Sequence, residues 1–429
     1  MRCTMTREQL LSALKSVKGA LPSRNRHAVE ILSHILIEAR QECVRITATD
    51  LLMRATCEVG GVQVIEEGRC TVNFHQLEEI SRSLPKQARL TLTQQEQSVE
   101  IACNGTAYVE GTSAEAFPFP RTLPDPGDIY AETHEEWERD EQGTSQRTFV
   151  TCTYEVLQAH RQQLVLPCAT LGDLLAKVAF AASGDDPFRP IQHNVCLSLK
   201  NDEVTLVAFD AFRLAVRTAS VPGSGSWEHD LLIPVDAARK VIKLLPKGEA
   251  ITVSFVATTD RLIGKNGQAY EAEPFLRPID VTLAAEMVRV SLRPTQGAFP
   301  AYRRMFDGEW KTRVVCETAE LLSAVQTVTA VAKENSNLTI FRARAGMLSV
   351  EATNGRLLRP TVRDVSAEVT GAQISILLSC QYVLDLLQVT TTPSIALELV
   401  SPAKPVVFRP LSDELGTSHY LVMSMALQR

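Results

Sequence analysis

The sequence lacks the long apolar runs, clustered metal ligands and nucleophile motifs that mark membrane proteins and many enzymes. No stretch approaches the ~20 apolar residues of a membrane-spanning helix, and no apolar run after Met1 suggests a secretory signal. The eight histidines and ten cysteines are dispersed, and neither a Cys-x-x-Cys pair nor a phosphate-binding loop nor a Gly-x-Ser-x-Gly elbow occurs. We therefore expect a cytosolic protein with reduced thiols, no metal and no catalytic constellation.

Three short sequence patterns each occur three times in the 429 residues. One ends a predicted β-hairpin, and its copies are Ala48-Thr49-Asp50, Ala208-Phe209-Asp210 and Ala352-Thr353-Asn354. A predicted amphipathic helix follows each copy and ends 35, 36 and 35 residues after the Asp or Asn. A helix with a Leu-Leu pair opens each repeat, at Leu10-Leu11, Leu174-Leu175 and Leu321-Leu322. Signatures that recur in one order at fixed spacing predict one fold used three times.

Each repeat alternates polar and apolar residues in its strands and carries two helices. This pattern predicts the α+β class, with two helices packed on antiparallel sheet in each of three tandem domains. The predicted domains are 1–120, 148–305 and 306–429, and an acidic linker or exposed insertion is predicted at 121–147. Six acidic residues between Glu132 and Gln142 make that segment resemble a solvated charge run.

The net charge of −6 argues against wrapping by nucleic acid over the whole surface, but it leaves room for one basic face. Arg239, Lys243 and Lys247 recur every four residues along one predicted helix, which suits contact with phosphates rather than base edges. An ordinary solvated helix face is the alternative interpretation. The residues predicted to bind duplex DNA are Arg7, Lys15, Lys18, Arg24, Arg26, Arg82, Lys177, Arg239, Lys240, Lys243 and Lys247.

Three segments carry a resemblance to a known family. Thr6-Arg7-Glu8-Gln9-Leu10-Leu11, Phe299-Pro300-Ala301-Tyr302-Arg303-Arg304 and the terminal Tyr420-Leu421-Val422-Met423-Ser424-Met425 resemble the β sliding clamps of bacterial DNA polymerase III. The resemblance implies a non-catalytic replication protein without cofactors, located in the bacterial cytosol and nucleoid. It also implies a head-to-tail homodimer whose six domains encircle duplex DNA independently of sequence. Its expected partners are the polymerase III catalytic subunit, a clamp loader and other clamp-binding peptides.

The resemblance further implies a pocket for client peptides between the second and third domains. The matching residues are Phe209, Ala211, Phe212, Arg213, Leu214, Pro300, Arg304, Met305, Tyr382, Leu421, Val422, Met423, Ser424 and Met425. Phe209, Ala211 and Phe212 replace the family's usual Thr, Gly and His, and Ser424 replaces the usual Pro. These larger side chains predict a narrower pocket with altered client preference.

The dimer interface is predicted from the repeat. Tyr108 stands on a predicted edge strand of the first domain, and Ala330 and Val331 stand on the facing helix of the third. Two alternatives stay open at this point. One is a divergent accessory clamp that serves repair or the polymerase of a mobile element. The other, less favoured because catalytic motifs are missing, is an enzyme built on repeated α+β domains.

Overall fold

The computed structural model describes residues 1–22, 29–118, 123, 125–139, 145–183, 189–246, 248, 250–263, 274–333, 337–352, 360–414 and 416–425. These residues form two compact units. Unit 1 comprises Met1–Ala169 and Arg239–Gln296, and unit 2 comprises Thr170–Ala238 and Gly297–Arg429. The α-helices of the described residues are α1 (Arg7–Val17), α2 (Phe74–Ser83), α3 (Cys168–Ala176), α4 (Val235–Leu244), α5 (Thr318–Ala332) and α6 (Cys380–Val389). None of them is long and apolar enough to cross a membrane.

Local sequence explains how the first helix begins and which face it buries. Thr6 accepts a hydrogen bond from the backbone N–H of Gln9, and the Gln9 side chain accepts one from the backbone N–H of Thr6. This capping box satisfies two backbone donors that would otherwise lack partners at the start of α1. Leu10, Leu14 and Val17, spaced at helical intervals, are buried where α1 packs against α2 and β4 (Met53–Val59).

Unit 1 contains one 14-stranded antiparallel sheet in the order β10-β11-β16-β17-β18-β4-β3-β2-β6-β9-β8-β7-β1-β5. Its strands are β1 (Arg2–Thr6), β2 (His34–Arg40), β3 (Cys43–Thr49), β4 (Met53–Val59), β5 (Gln63–Glu66), β6 (Gly68–Asn73), β7 (Arg89–Gln94), β8 (Ser98–Ala102), β9 (Thr106–Ser113), β10 (Ile129–Arg139), β11 (Ser145–Pro167), β16 (Ala250–Ile263), β17 (Phe275–Ala284) and β18 (Val288–Leu292). Alternate residues along these strands, such as Leu90 and Leu92 on β7, are buried in the core.

Unit 2 contains a 12-stranded sheet in the order β15-β12-β13-β14-β26-β25-β24-β19-β22-β21-β20-β23. Its strands are β12 (Asn194–Lys200), β13 (Glu203–Phe209), β14 (Arg213–Ser220), β15 (Leu231–Pro234), β19 (Thr312–Glu317), β20 (Leu338–Arg344), β21 (Met347–Ala352), β22 (Thr361–Gly371), β23 (Ile374–Ser379), β24 (Ser394–Leu399), β25 (Val406–Leu411) and β26 (Thr417–Val422). Helices α5 and α6 pack against each other in this unit, and α5 also contacts β21 and β22.

The predicted repeat is visible in the strand registers. Strands β2, β3 and β4 recur as β12, β13 and β14 with a constant offset of 160 residues, so that Asp50 corresponds to Asp210. Strand β4 pairs with β18, with Met53 opposite Leu292. Strand β14 pairs with β26 in the same way, with Arg213 opposite Val422. These registers define which residues of the two units occupy corresponding positions.

The segment expected to be an acidic linker or insertion contains strand structure. Ile129–Arg139 forms β10, which pairs with β11 along its whole length. Tyr130 donates a hydrogen bond to the buried carboxylate of Asp260, and the Arg277 guanidinium lies 4.7 Å from the ring centres of both Tyr130 and Tyr154. Burial raises the pKa of Asp260 above its usual range. These contacts join the β10–β11 hairpin to β16 and β17.

Candidate functional site

The most organised polar turn of unit 2 joins β13 to β14. The Asp210 carboxylate accepts hydrogen bonds of 2.8 Å from the backbone N–H groups of Phe212 and Arg213. Its other oxygen lies 2.9 Å from Nε of Arg213, whose guanidinium also binds Asp385 on α6. Arg213 thus bridges two carboxylates, and this fixes the turn against the helix.

Aromatic rings surround Arg213. Its guanidinium lies 4.7 Å from the ring centre of Tyr382 and 5.6 Å from that of Phe180. Phe212 stacks on Tyr382 with 6.1 Å between ring centres and 20° between ring planes. The Phe212 side chain is nevertheless 46% exposed. It therefore forms an outer wall that an approaching apolar group would meet first.

The C-terminal strand β26 adds a second wall. Leu421 and Val422 pair with Leu214 and Arg213 on β14, and all of them except Arg213 are buried. After the strand, the backbone N–H of Met423 donates to the carbonyl of Phe212 at 2.8 Å. The start of the chain after β26 is thereby held against the Phe212 turn.

An apolar cluster lies beneath these walls. Its buried members are Cys196, Val207, Leu214, Leu232 and Leu421. The partly buried residues packed against them are Ile191, Phe209, Val216, Phe299, Tyr302, Phe306, Val407 and Met423. Burial raises the pKa of the Cys196 thiol, so this side chain stays protonated and packs as a small apolar group. The cluster offers apolar surface with a few polar anchors, an arrangement suited to docking a short peptide.

The segment after Phe299 completes this site. Phe299 meets Phe209 edge to face with 5.1 Å between ring centres, and Tyr302 packs on the same cluster. Pro300, Arg304 and Met305 are exposed beside them, and Ala211 is exposed at the Phe212 turn. Ser424 and Met425 are half-buried, and the Met425 N–H donates to the carbonyl of Leu377. The predicted client-pocket residues therefore lie on connected elements of one unit.

Sequence reasoning missed several members of this site. Cys196, Leu232 and Phe180 carried no distinctive pattern, because isolated apolar residues on strands look alike in sequence. Asp385 could have been recognised, since it follows Tyr382 by three residues and therefore shares its helix face. Its partner Arg213 lies 172 residues away, which local patterns cannot reveal.

The predicted DNA-binding residues are less uniform. Lys15, Arg239 and Lys243 are exposed on α1 and α4. Lys18 and Arg82 are exposed too, but both bind Glu78, at 2.8 Å and 2.7 Å. Arg7 is half-buried and donates to the carbonyls of Ser81 and Arg82. Arg24, Arg26 and Lys247 lie outside the described residues.

Two predicted phosphate contacts need correction. Lys177 is only 4% exposed, and its ammonium lies 3.0 Å from Asp173 and 3.3 Å from Asp413. It is a buried ion-pair partner and is not available to DNA. Lys240 is partly exposed but binds Asp50, the carboxylate of the first repeat's turn. Its charge is therefore largely compensated within unit 1, which the i, i+4 pattern did not reveal.

The residues predicted at the dimer interface differ in exposure. Tyr108 on β9 is 62% exposed, Ala330 is exposed, and Val331 is half-buried near the end of α5. Strand β9 is not a simple edge strand, because it lies between β8 and β6 in the sheet. Its register with β6 covers only Gly111–Ser113, however, and Thr106–Glu110 pairs with β8. Within the described registers, the side of β9 opposite β8 is open at Tyr108.

Comparison with known protein families identifies three consecutive domains. Residues 1–123 match the N-terminal domain of the DNA polymerase III beta subunit, residues 165–272 match its central domain, and residues 303–426 match its C-terminal domain. These matches cover most of the chain in the order of the predicted repeats.

Similar proteins agree along the full length. The beta sliding clamp of Pseudomonas putida is 23% identical over 427 residues and all of both chains, and that of Bacillus subtilis is 22% identical over 96% of this chain and 97% of the relative. Crystal structures of the DNA polymerase III subunit beta of Pseudomonas aeruginosa and the sliding clamp of Bacillus subtilis superpose on the whole chain with TM-scores of 0.80 and 0.78 at 19% and 20% identity. The predicted α+β fold of three clamp domains is thus confirmed. The chain belongs to the DNA polymerase III beta subunit family, the sliding clamps that serve DNA replication as non-catalytic processivity factors.

Proposed function

We propose that this clamp closes as a head-to-tail homodimer around duplex DNA in the bacterial cytosol and tethers DNA polymerase III through the site on unit 2. The tethering role is supported chiefly by one surface, which the Phe212 turn and the chain after β26 form together. It combines an apolar floor with the exposed ring of Phe212, and it lies on the surface of a protein in a non-catalytic family. A clamp loader is the partner expected to open such a ring.

Ring closure is supported by the pattern of paired edges. Strands β4 and β14 each pair with the last strand of the following domain, β18 and β26. The corresponding strand of the third repeat is β22, and its Thr361–Ser366 segment has β21 on one side in the described registers. The last strand of the first domain is β9, whose Thr106–Glu110 segment has β8 on one side. Two copies of the chain would therefore match β22 of one with β9 of the other, twice, in a closed dimer.

Exposed apolar residues mark the same two edges. Tyr108 on β9 is 62% exposed, and Val362 on β22 is 45% exposed. Sedimentation equilibrium at micromolar concentration should report the mass of two chains. Tyr108→Arg should shift the protein toward one chain, whereas Ile65→Arg, an exposed apolar residue on the edge strand β5, should not. A monomeric unmodified protein across ordinary salt concentrations would overturn the ring.

Binding to DNA is expected to be topological and insensitive to sequence, because the exposed cations of α4 suit phosphate contacts. The clamp should stay on nicked circular DNA after loading and slide off when the circle is cut. Replacing Arg239, Lys243 and Lys247 by Ala should shorten retention and reduce its salt dependence. The matched control replaces the exposed Lys200, Arg344 and Lys404, which lie at strand ends and in turns. Equal loss in both triple variants would contradict a role for the helix face.

Client tethering is tested by removing the tail. Deleting Met423 through Arg429 should abolish binding of a fluorescently labelled clamp-binding peptide and stimulation of polymerase III, with the dimer intact. Deleting only the last four residues is the control, since it leaves Met423 and its bond to the Phe212 carbonyl. Peptide binding that survives the longer deletion would exclude this site.

An accessory clamp for repair or a mobile-element polymerase is the second candidate. Two observations favour it: Phe209 and Phe212 enlarge one wall of the site, and residues 124–164 fall between the segments matched by the family. Peptides from the replicative polymerase and from repair polymerases of the same cell should be compared for affinity. Tighter binding of the repair peptides by tenfold or more would favour the accessory role over the replicative one.

A further inference from the structure

Two buried cations in unit 2 share two carboxylates. Arg217 on β14 is completely buried, and Lys177 is nearly so. Each cation contacts both carboxylates: Arg217 lies 2.7 Å from Asp173 and 2.5 Å from Asp413, and Lys177 lies 3.0 Å and 3.3 Å from the same two residues. The Asp173 side chain is 22% exposed, so the two positive charges are buried and neutralised by carboxylates at the rim of the cluster. None of these four residues belongs to the proposed client site.

The cluster ties three elements together. Asp173 belongs to α3, Arg217 to β14, and Asp413 to the segment that leads into β26. Arg217 also donates to the Ser418 hydroxyl at 3.2 Å, and Ser418 is its partner in the β14–β26 register. A buried charge pair seldom outweighs apolar packing in stability, but an unpaired buried charge is costly, so such a cluster tolerates few alternative arrangements. A slip of β26 by one residue would turn Ser418 to the other face of the sheet and leave Arg217 short of a partner.

The same strand leads directly to the client site. Tyr420, two residues after Ser418, is buried with its ring centre 5.8 Å from that of Phe180. Phe180 in turn lies under the guanidinium of Arg213 at 5.6 Å. Met423, three residues further on, makes the backbone bond to Phe212. The buried charges are thus connected by contacts to both walls of the site.

We propose that the Arg217 cluster is a positioning device, which holds β26 in the one register that aligns Leu421 and Met423 with the Phe212 turn. This inference rests on the proposed client function of that site. The corresponding residue of unit 1 is Cys57, whose thiol forms no such charge cluster. There the backbone N–H of Arg293, after β18, donates to the carbonyl of Leu52 at 3.3 Å, which is longer than the 2.8 Å bond between Met423 and Phe212. Arg217 acts through β26 and does not itself contact a client.

Arg217→Lys tests the proposal because it keeps the charge but loses the planar fork that reaches two carboxylates and a hydroxyl. We expect the labelled peptide to bind at least tenfold more weakly and the Met423 amide to exchange with deuterium at least tenfold faster. The dimer mass should change little, whereas the thermal midpoint should fall because a buried cation loses partners. Arg342→Lys, which alters a partly exposed ion pair with Glu351 in the same unit, is the control and should leave both readouts unchanged.

Ser418→Ala covers the case in which Arg217→Lys fails to fold, since it removes one hydroxyl and leaves all four charges. It should weaken peptide binding at least threefold and accelerate Met423 exchange. A folded variant with unaltered peptide affinity and unaltered Met423 exchange overturns the positioning role. If the unmodified clamp does not bind the peptide, the proposed client site fails, and the exchange measurement alone then decides whether Arg217 fixes the tail.

Discussion

Units 1 and 2 contain the same junction of strands, but four of its positions are apolar in unit 2 and polar in unit 1, while Cys196 corresponds to the buried Leu36. In unit 2 the cluster beneath the client wall includes Val207, Leu214, Leu232 and Leu421. The corresponding residues of unit 1, read from the strand registers, are Thr47, Arg54, Thr71 and Ser291. Thr47 bonds to Thr56, and Arg54 donates to the carbonyl of Pro118. Four side chains thus determine whether one backbone arrangement carries an apolar cluster, which we propose as the docking site, or polar side chains that bond within the unit.

The turns of the two junctions also differ in the sign of the charge that they present. In unit 1 the Asp50 carboxylate binds Lys240 on α4 directly. In unit 2 Asp210 holds Arg213, which binds Asp385 on α6. Lys240 and Asp385 both stand five residues after the start of their helices, so the contact is conserved in position and reversed in charge. Arg213, which occupies the position of Met53 in unit 1, thus carries the ion pairs that join the turn to the helix in unit 2.

The largest loss of stability and of peptide binding is expected when Leu421 is replaced by the polar residue that unit 1 has at the corresponding position. Leu421→Ser, which introduces the residue found at position 291, removes buried apolar surface from the cluster. The free energy of unfolding should fall by about 2–4 kcal/mol, and the labelled peptide should no longer bind. Leu292→Ser, a buried leucine at the junction of unit 1, should cost comparable stability in urea titrations but leave the peptide affinity intact. Loss of binding in both variants would mean that general destabilisation is the cause.

Reversing one charge should break the unit 1 turn. Lys240→Asp places a carboxylate against Asp50, and we expect unfolding of unit 1 to become easier by about 1–2 kcal/mol because the pair is partly buried. Lys243→Asp makes the same charge change three residues later at an exposed position and should cost less than about 0.5 kcal/mol. Equal effects in denaturant titrations would show that Lys240 contributes only through long-range charge.

A smaller side chain at position 212 should widen the proposed peptide site of unit 2. Phe212→His replaces the ring that stacks on Tyr382 and is expected to tighten the labelled peptide about two- to tenfold, since an aromatic pair contributes ~0.5–1.5 kcal/mol. Fluorescence anisotropy measures the change. Phe275→His, at another exposed phenylalanine in unit 1, is the control. Unchanged affinity in Phe212→His would exclude the narrowed pocket without affecting the clamp assignment.

The smallest expected effect is a change in the pH dependence of stability, and it comes from His34 on β2. Burial lowers the pKa of His34 below its usual value, despite the opposing charges of Glu110 and Glu30. As the pH falls, the unfolded chain therefore binds a proton at this histidine before the folded chain does. The stabilising contribution of the neutral His34 side chain is thus fully present above about pH 6.5 and is lost progressively below that value. His34→Asn introduces the residue found at the corresponding position 194. The decrease in thermal midpoint between pH 7.5 and 5.5 should be smaller in this variant than in the unmodified protein, whereas exposed His75→Asn should behave as the unmodified protein.

Sequence patterns were sufficient for the repeat, because it depends on fixed offsets. The family resemblance, rather than spacing, implied that the turn after Asp210 and the terminal strand meet, and β14 and β26 pair from Arg213 to Thr218. Charges were harder to interpret. Lys177 resembled a free helix cation, but its partner Asp413 lies 236 residues away. The acidic run that forms β10 looked like a linker, since its pairing with β11 is made by backbone groups that the side chains do not reveal.

The boundary between the two compact units runs through the middle of a family domain. The central domain matched at 165–272 contributes β16 to unit 1 and β12, β13, β14 and β15 to unit 2. A fragment cut at 165 and 272 would expose β14 without β26 and β16 without β17, two edges prone to aggregation. Heating should therefore divide this molecule along the units rather than the domains. A protein expressed in pieces should remain soluble only when each cut preserves a whole sheet.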